Sequence, residues 1–300
     1  MRVALLNDRP DHPMLSEVGS RLEHAGHEVF VLDEASGTAA EVAREQKHRL
    51  ADVYLCKSHS AHALEVAERL ESLGACVINA ASATAAGQDR VWMATRLRRG
   101  GIPSPATRVL AHLSDLRHLK RPVVVKSQLS RRDDLVAWVA TTQALTRLLE
   151  EWPDEPVVVQ TWIPNSGWDL KLWVVGTQVY AARRPTPLEL PAPAAAAAPA
   201  SRATITLSAD QLSARVLHMA LAVGVSFGLE IYGVDVISGP QGPLVVDVNP
   251  FPGARGIPGV AEAIVELAVA RAGRSERDNP ALPANSRQAH ILVAQRGSVA

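Results

Sequence analysis

The chain has 300 residues, of which 31 are Lys or Arg and 31 are Asp or Glu, so its formal net charge is zero. Hydrophobic residues make up 47% and charged residues 21%, the balance of a globular chain rather than a disordered one. A nucleic-acid binder carries a basic excess, so the neutral balance argues against nucleic acid as a partner and requires any positive site to be built from a few placed cations.

Residues 2–7 form an apolar run ended by the turn cluster Asp8, Arg9, Pro10, which reads as a buried strand. Leu15, Val18, Leu22 and Ala25 recur at helical spacing and stop at Gly26. A strand over 27–32, a helix over 41–50, a strand over 51–55, a helix over 61–73 closed by Gly74 and a strand over 75–79 follow. This alternation implies parallel βαβ units and an open α/β domain.

A helix over 89–99 ends at Gly100 and Gly101, and 102–107 reads as an extended turn. A β-rich run over 122–126 ends in Lys126, a helix covers 141–151, and a strand covers 156–161. Residues 170–175 and 178–182 form a hairpin around Gly176 and Thr177. The segment 185–200 has Pro at 185, 187, 191, 193 and 199 and five consecutive alanines, the composition of a loop or linker. A helix over 211–227, strands over 232–237 and 244–248 joined by a Gly/Pro turn, and a helix over 260–272 complete the pattern. Polar, Pro-containing residues then lead into the last segment, which reads as a flexible tail.

Cys56 and Cys76 have no metal-ligand or redox spacing and read as small hydrophobes in a reducing cytosol. No segment reaches the ~18 uninterrupted apolar residues of a membrane span. A cytoplasmic protein with no membrane partner is expected. Five of the six tryptophans fall between Trp138 and Trp173, where core packing is expected for most and pocket lining for one or two.

Several residues carry chemistry. Asp247 and Asn249 are two apart on one strand, so they share a sheet face. The short turn before them permits antiparallel pairing with the strand holding Asp235. Three oxygen-bearing side chains on adjacent apolar strands suit a hard cation such as Mg²⁺. Lys126 ends a buried strand, where its ammonium suits phosphate oxygens. Asp169, Lys171 and Trp173 share one strand face, and Arg183 and Arg184 end the next strand.

In order, Val-Val-Val-Lys126, Val-Val-Val-Gln160-x-x-Ile163, Asp169-x-Lys171, Arg183-Arg184, Asp235 and Asp247-x-Asn249 resemble the ATP-grasp superfamily, of glutathione-synthetase and ribosomal-protein glutamate-ligase type. The resemblance implies an α/β fold: an N-terminal open parallel α/β domain (1–84), a central lid subdomain (85–165), a C-terminal metal-binding subdomain (166–275) and a tail (276–300). It implies ATP and Mg²⁺, with Mn²⁺ as an alternative metal, and Asp235, Asp247 and Asn249 as ligands. It places Lys126 and Arg90 on the nucleotide phosphates, Gln160 and Ile163 at the adenine hinge, and Asp169 among the nucleotide-binding residues. Arg183 or Arg184, with Lys171, would steady the transferred phosphoryl group.

Two departures stand out. Relatives follow the lysine with a Gly-rich lid, whereas residues 127–134 contain no glycine and offer Ser127, Ser130, Arg131 and Arg132 instead. On the acceptor side, the segments after Lys171 and Asp247 also look like ATP-grasp inositol polyphosphate kinases. The expected activity is a carboxylate–amine ligase with a small-molecule acceptor. The alternatives are a small-molecule kinase and a protein that binds ATP without turning it over. A polyphosphate acceptor would need several convergent cations, drawn from Arg131, Arg132, Lys171, Arg184 and Arg255. Assembly into a homo-oligomer is left open.

Overall fold

The computed structural model describes residues 1–7, 12–33, 39–46, 49–118, 120–131, 133–186, 188 and 204–273. The turn cluster after residue 7, Arg132, most of the Pro/Ala-rich segment and the tail lie outside the described residues.

The first part runs β1 (Arg2–Asn7), α1 (Pro13–His24), β2 (Glu28–Asp33), α2 (Ala39–Gln46), β3 (Val53–Cys56), α3 (Ala61–Ser72) and β4 (Val77–Ile78). Its sheet has the order β2-β1-β3-β4 with every pairing parallel. Such a sheet must be covered on both faces. Val3 and Leu5 of β1 pack with Leu15, Val18 and Leu22 of α1 on one side. Ala4 and Leu6 pack with Ala63, Val66 and Leu70 of α3 on the other.

Two consecutive helices follow, α4 (Ala81–Gln88) and α5 (Arg90–Arg99). Only α5 is expected from the sequence. The Ala/Ser/Thr-rich α4 lacks large apolar residues, and its small side chains serve close approach instead. A Cβ on Gly87 would lie 2.5 Å from the ring of Pro250. Asp89 starts α5 by accepting from the backbone of Val91 and Trp92 at 2.8 and 3.3 Å.

The middle part comprises β5 (Thr107–Leu110), a 3₁₀ turn over Leu113–His118, β6 (Val123–Ser127), β7 (Val136–Val139), α6 (Thr142–Glu151) and β8 (Val157–Thr161). They form an antiparallel sheet of order β5-β8-β6-β7. Both edge strands, β5 and β7, escape the sequence reading because each is short and half-exposed, with little alternation to mark it.

The last part contains β9 (Trp168–Val175), β10 (Gln178–Pro185), β11 (Ile205–Leu207), α7 (Ala214–Phe227), β12 (Ile231–Gly239), β13 (Gly242–Pro250) and α8 (Val260–Ala272). The strands form an antiparallel sheet of order β11-β10-β9-β12-β13. Helix α7 begins later than the expected 211, because Ser213 caps it by accepting from the Val216 backbone at 3.3 Å. Its apolar stripe, Val216, Met219, Ala220 and Val223, packs on Leu172, Val174, Val234 and Val236. On the opposite face Trp173, Val175 and Ile231 join the core shared with β1 and α1, while Asp169, Lys171 and Asp235 are left for polar chemistry. Among the described residues, no helix is long and apolar enough to cross a membrane.

Asn79 joins the first sheet to the last. Its buried amide donates to the Ile231 carbonyl at 2.7 Å and accepts from the Glu230 and Ile231 backbone at 2.8 and 2.9 Å. Asn79→Ala would take the side-chain acceptor from the Glu230 and Ile231 N–H groups, while the Ile231 carbonyl would keep the Phe251 N–H at 2.9 Å. Losing the partner of a buried donor such as Ile231 N costs about 1–3 kcal/mol. A lowered urea midpoint at unchanged secondary structure is the expected result, and an unaltered midpoint would refute the bridging role.

Candidate active site

Strand pairing decides which side chains meet. In the last sheet Asp169 of β9 stands opposite Arg184 of β10 and Ile237 of β12. Lys171 stands opposite Asp235, and Asp235 stands opposite Asp247 of β13. Paired residues project to the same side, so Asp169, Lys171, Arg184, Asp235, Asp247 and Asn249 occupy one face. The pairing of Asp235 with Asp247 is the one the short turn permits.

The middle sheet faces this surface. Val123 and Val125 of β6 enter the middle core, so Val124 and Lys126 point the other way. Between the two sheets lies a cleft of about 390 Å³. Arg90, Lys126, Gln160, Ile163, Asp169, Lys171, Arg184, Asp235, Asp247 and Asn249 all line it. Among the described residues, every buried charged side chain lines this cleft: Arg90, Lys126, Asp169 and Asp235. Such groups are rarely buried unless paired, and here the pairs are visible.

Asp235 binds Lys171 Nζ at 3.1 Å and Arg184 at 3.1 Å. The amide of Asn249 donates to Asp235 at 3.5 Å. Asp247 meets Arg90 Nη2 at 3.3 Å, and Arg90 Nη1 binds Asp134 at 2.6 Å. Burial alone would raise the Asp247 carboxyl, but Lys126 and Arg90 outweigh it and lower its pKa. Burial likewise opposes charge on Arg90, yet Asp247 and Asp134 raise its pKa. For Lys126 burial prevails, and its pKa is lowered despite Asp247.

Lys126 has an unusual acceptor. The β12–β13 register shifts between Asp235 and Val236, which faces Val245. Val246 is therefore an extra residue, a β-bulge. Its carbonyl accepts from Lys126 Nζ at 2.6 Å, tying the middle sheet to the last.

The structure does not bring every expected residue to the cleft. Arg183 stands opposite Leu170, on the other face, with its guanidinium 5.2 Å from the Trp168 ring centre. Alternation lets only one of two adjacent arginines face the cleft, and it is Arg184. Ser127 is buried, and its hydroxyl accepts from the Leu135 backbone at 3.0 Å instead of lining the cleft. Ser130 and Arg131 do line it, and Arg131 also pairs with Glu155 at 2.8 Å. Among the tryptophans, Trp162 lines the cleft and meets Trp138 edge-on at 6.1 Å. Trp173 is buried, with its indole donating to the Gly253 carbonyl at 2.9 Å.

Asp134 lines the cleft but escapes the sequence reading. It lies in a polar loop, and only its partner Arg90, 44 residues away, gives it meaning. The surrounding apolar walls, Val124, Val136, Trp162, Ile163 and Ile237, suit a flat aromatic group. Asp235, Asp247 and the Asn249 amide oxygen are hard donors of the kind that could hold a divalent cation.

Residues 87–268 match the RimK-like ATP-grasp domain family. A probable alpha-L-glutamate ligase from Vibrio vulnificus (strain YJ016) is 24% identical over 275 residues, covering 86% of this chain and 90% of the relative. The RimK domain ATP-grasp protein from Sphaerobacter thermophilus DSM 20745 has a similar crystal structure. Its TM-score is 0.69 at 23% identity, covering 90% of this chain and 100% of that one. The ATP-grasp ligase PsnB, complexed with a minimal precursor, Mg and ADP, has a TM-score of 0.67 at 18% identity, covering 90% and 97%.

Asp169 offers a test of the cleft's electrostatics. Burial and the charge of Asp235 push its carboxyl from 3.8 up to about 6, against Arg184 and Lys126. As pH rises through this window, the unfolded chain releases the proton first, so stability falls. At neutral pH the ionised group costs about 3 kcal/mol. Asp169→Asn is expected to raise the unfolding temperature of the nucleotide-free chain at pH 7 and to flatten its decline between pH 4 and 6. Equal stability of the two chains at pH 7 would contradict the assignment.

Proposed function

The chain belongs to the RimK-like ATP-grasp family, and we propose that it is an ATP-dependent carboxylate–amine ligase. The observation that most supports this reading is the convergence of the buried charges on one cleft, with Asp235 opposite Asp247. The name of the Vibrio vulnificus relative points to glutamate ligation, so an amino-acid substrate is the first choice.

Asp235, Asp247 and Asn249 would hold Mg²⁺, and Mn²⁺ satisfies the same oxygen donors. When bound, the metal supplies neutralisation of phosphate charge. Lys126 and Arg90 hold phosphate oxygens, and their buried position strengthens each contact. Gln160, Ile163 and Trp162 line the adenine end, and Asp169 serves the nucleotide's polar middle. Arg184 balances charge on the transferring phosphoryl group, with Lys171 beside it.

In the first step an acceptor carboxylate oxygen attacks the γ-phosphorus, the bond to the bridging oxygen breaks, and ADP leaves. The amine nitrogen then attacks the acyl carbon, the carbon–oxygen bond to phosphate breaks, and an amide forms. The amine proton passes to phosphate or solvent. No protein nucleophile is needed.

The cations bear on the kinase alternative. Arg131 is paired with Glu155, and Lys171 and Arg184 with Asp235. Arg255 does not line the cleft. A polyphosphate acceptor would need cations beyond Lys171 and Arg184, which the phosphoryl group being transferred already uses. With Arg131 held by Glu155 and Arg255 outside the cleft, the ligase reading is favoured.

Asp247→Asn and Asn249→Ala are expected to abolish Mg-dependent ATP turnover while circular dichroism stays unchanged. Turnover retained in both would sink the metal assignment. Lys126→Ala should weaken nucleotide binding at least about tenfold by calorimetry, the scale of one charge-assisted hydrogen bond.

The reaction itself is read by pairing amino acids with small carboxylates and following ADP release. The expected product mass is the sum of both substrates less water. A product that gains only a phosphoryl group would establish the kinase instead.

A further inference from the structure

The loop from β6 to β7 has no glycine, yet its backbone is fixed on two sides. Arg90 N donates to the Gln128 carbonyl at 2.9 Å, and Ser130 N donates to the Gln88 carbonyl at 2.8 Å. Gln128 N donates to the Pro156 carbonyl at 2.8 Å. The Arg90 guanidinium completes the attachment. Nη1 reaches the Ser127 carbonyl at 2.9 Å and Asp134 at 2.6 Å, and Nη2 reaches Ser130 Oγ and Asp247, both at 3.3 Å.

One guanidinium is thus shared between two carboxylates of different standing. Asp134 belongs to the loop, whereas Asp247 belongs to the oxygen set proposed for the metal. The contact to Asp134 is the shorter by 0.7 Å, the difference between 3.3 and 2.6 Å. A planar fork can serve both partners at once. Without the Asp134 charge, the whole of the Arg90 charge would fall to Asp247 and compete with a cation there.

We infer that Asp134 is a positioning residue that draws Arg90 toward the loop and so keeps Asp247 available to a divalent cation. This rests on the reading of the cleft as a metal–nucleotide site. The loop contributes a fixed counter-charge where a flexible glycine segment would contribute backbone amides.

The test is calorimetric binding of ADP across a Mg²⁺ series, using the full chain. In Asp134→Asn the Mg²⁺ concentration for half-maximal ADP binding rises about tenfold, the scale of one charge-assisted hydrogen bond. ADP affinity at saturating Mg²⁺ stays within about twofold of the parent, because the nucleotide contacts remain. Asp134→Ser behaves like Asp134→Asn and replaces it should that variant not fold, and Asp134→Glu restores the parent requirement.

A Mg²⁺ requirement that follows charge and not side-chain size supports the inference. Equal loss of ADP affinity at every Mg²⁺ concentration shows a merely structural role and overturns it, as does an unchanged requirement. Failure of the parent chain to bind ADP at any Mg²⁺ concentration is a different result, which removes the nucleotide reading itself.

Discussion

Charges taken out of water must neutralise one another, and this constraint organises the molecule around its cleft. Arg90, Lys126, Lys171 and Arg184 stand against Asp134, Asp169, Asp235 and Asp247, while Arg131 is balanced by Glu155. The overall charge of zero is therefore repeated locally. Each of these groups would be costly alone, since burying an ion is repaid only by close, well-directed partners. The raised pKa of Asp169 and the lowered pKa of Lys126 mark where compensation is incomplete. Incomplete compensation is common where a site awaits a charged ligand.

Because the partners come from different parts of the chain, neutralisation also holds those parts in place. Arg90 at the start of α5 reaches the middle sheet through Asp134 and the last sheet through Asp247. Lys126 spans the same gap by its contact with the Val246 carbonyl. Asn79 ties the first sheet to the last with neutral hydrogen bonds. The cleft is held by ionic contacts that a ligand can rearrange, whereas the first and last sheets share an apolar core that Asn79 bridges.

Much of this was legible in the amino-acid order, for a physical reason. A strand fixes the side of every second residue, so Asp247 and Asn249 declare a common face, and a short turn places Asp235 beside them. Repeating strand and helix likewise announced the parallel first sheet. Arg183 and Arg184 could not be separated, since the choice depends on the partner strand, where Arg184 meets Asp169. Asp134 was invisible because its role lies in Arg90, far along the chain. Helix α4 was missed because its surface is made for close contact with Pro250 and not for an apolar stripe. The edge strands β5 and β7 are too short and exposed to show a period.

The bulge at Val246 has a consequence for how this strand can change over generations. Lys126 is held by the main-chain oxygen of Val246, which any residue at that position supplies, although the Val246 side chain itself lines the cleft. The contact depends on the residue count. Removing position 246 would leave an uninterrupted ladder, with Val245 still opposite Val236 and Asp247 still opposite Asp235. The carboxylates would keep their face, and the lysine would lose its acceptor. Substitutions there keep the acceptor that holds Lys126, whereas a one-codon gap would uncouple the lysine from the carboxylates and leave the sheet intact.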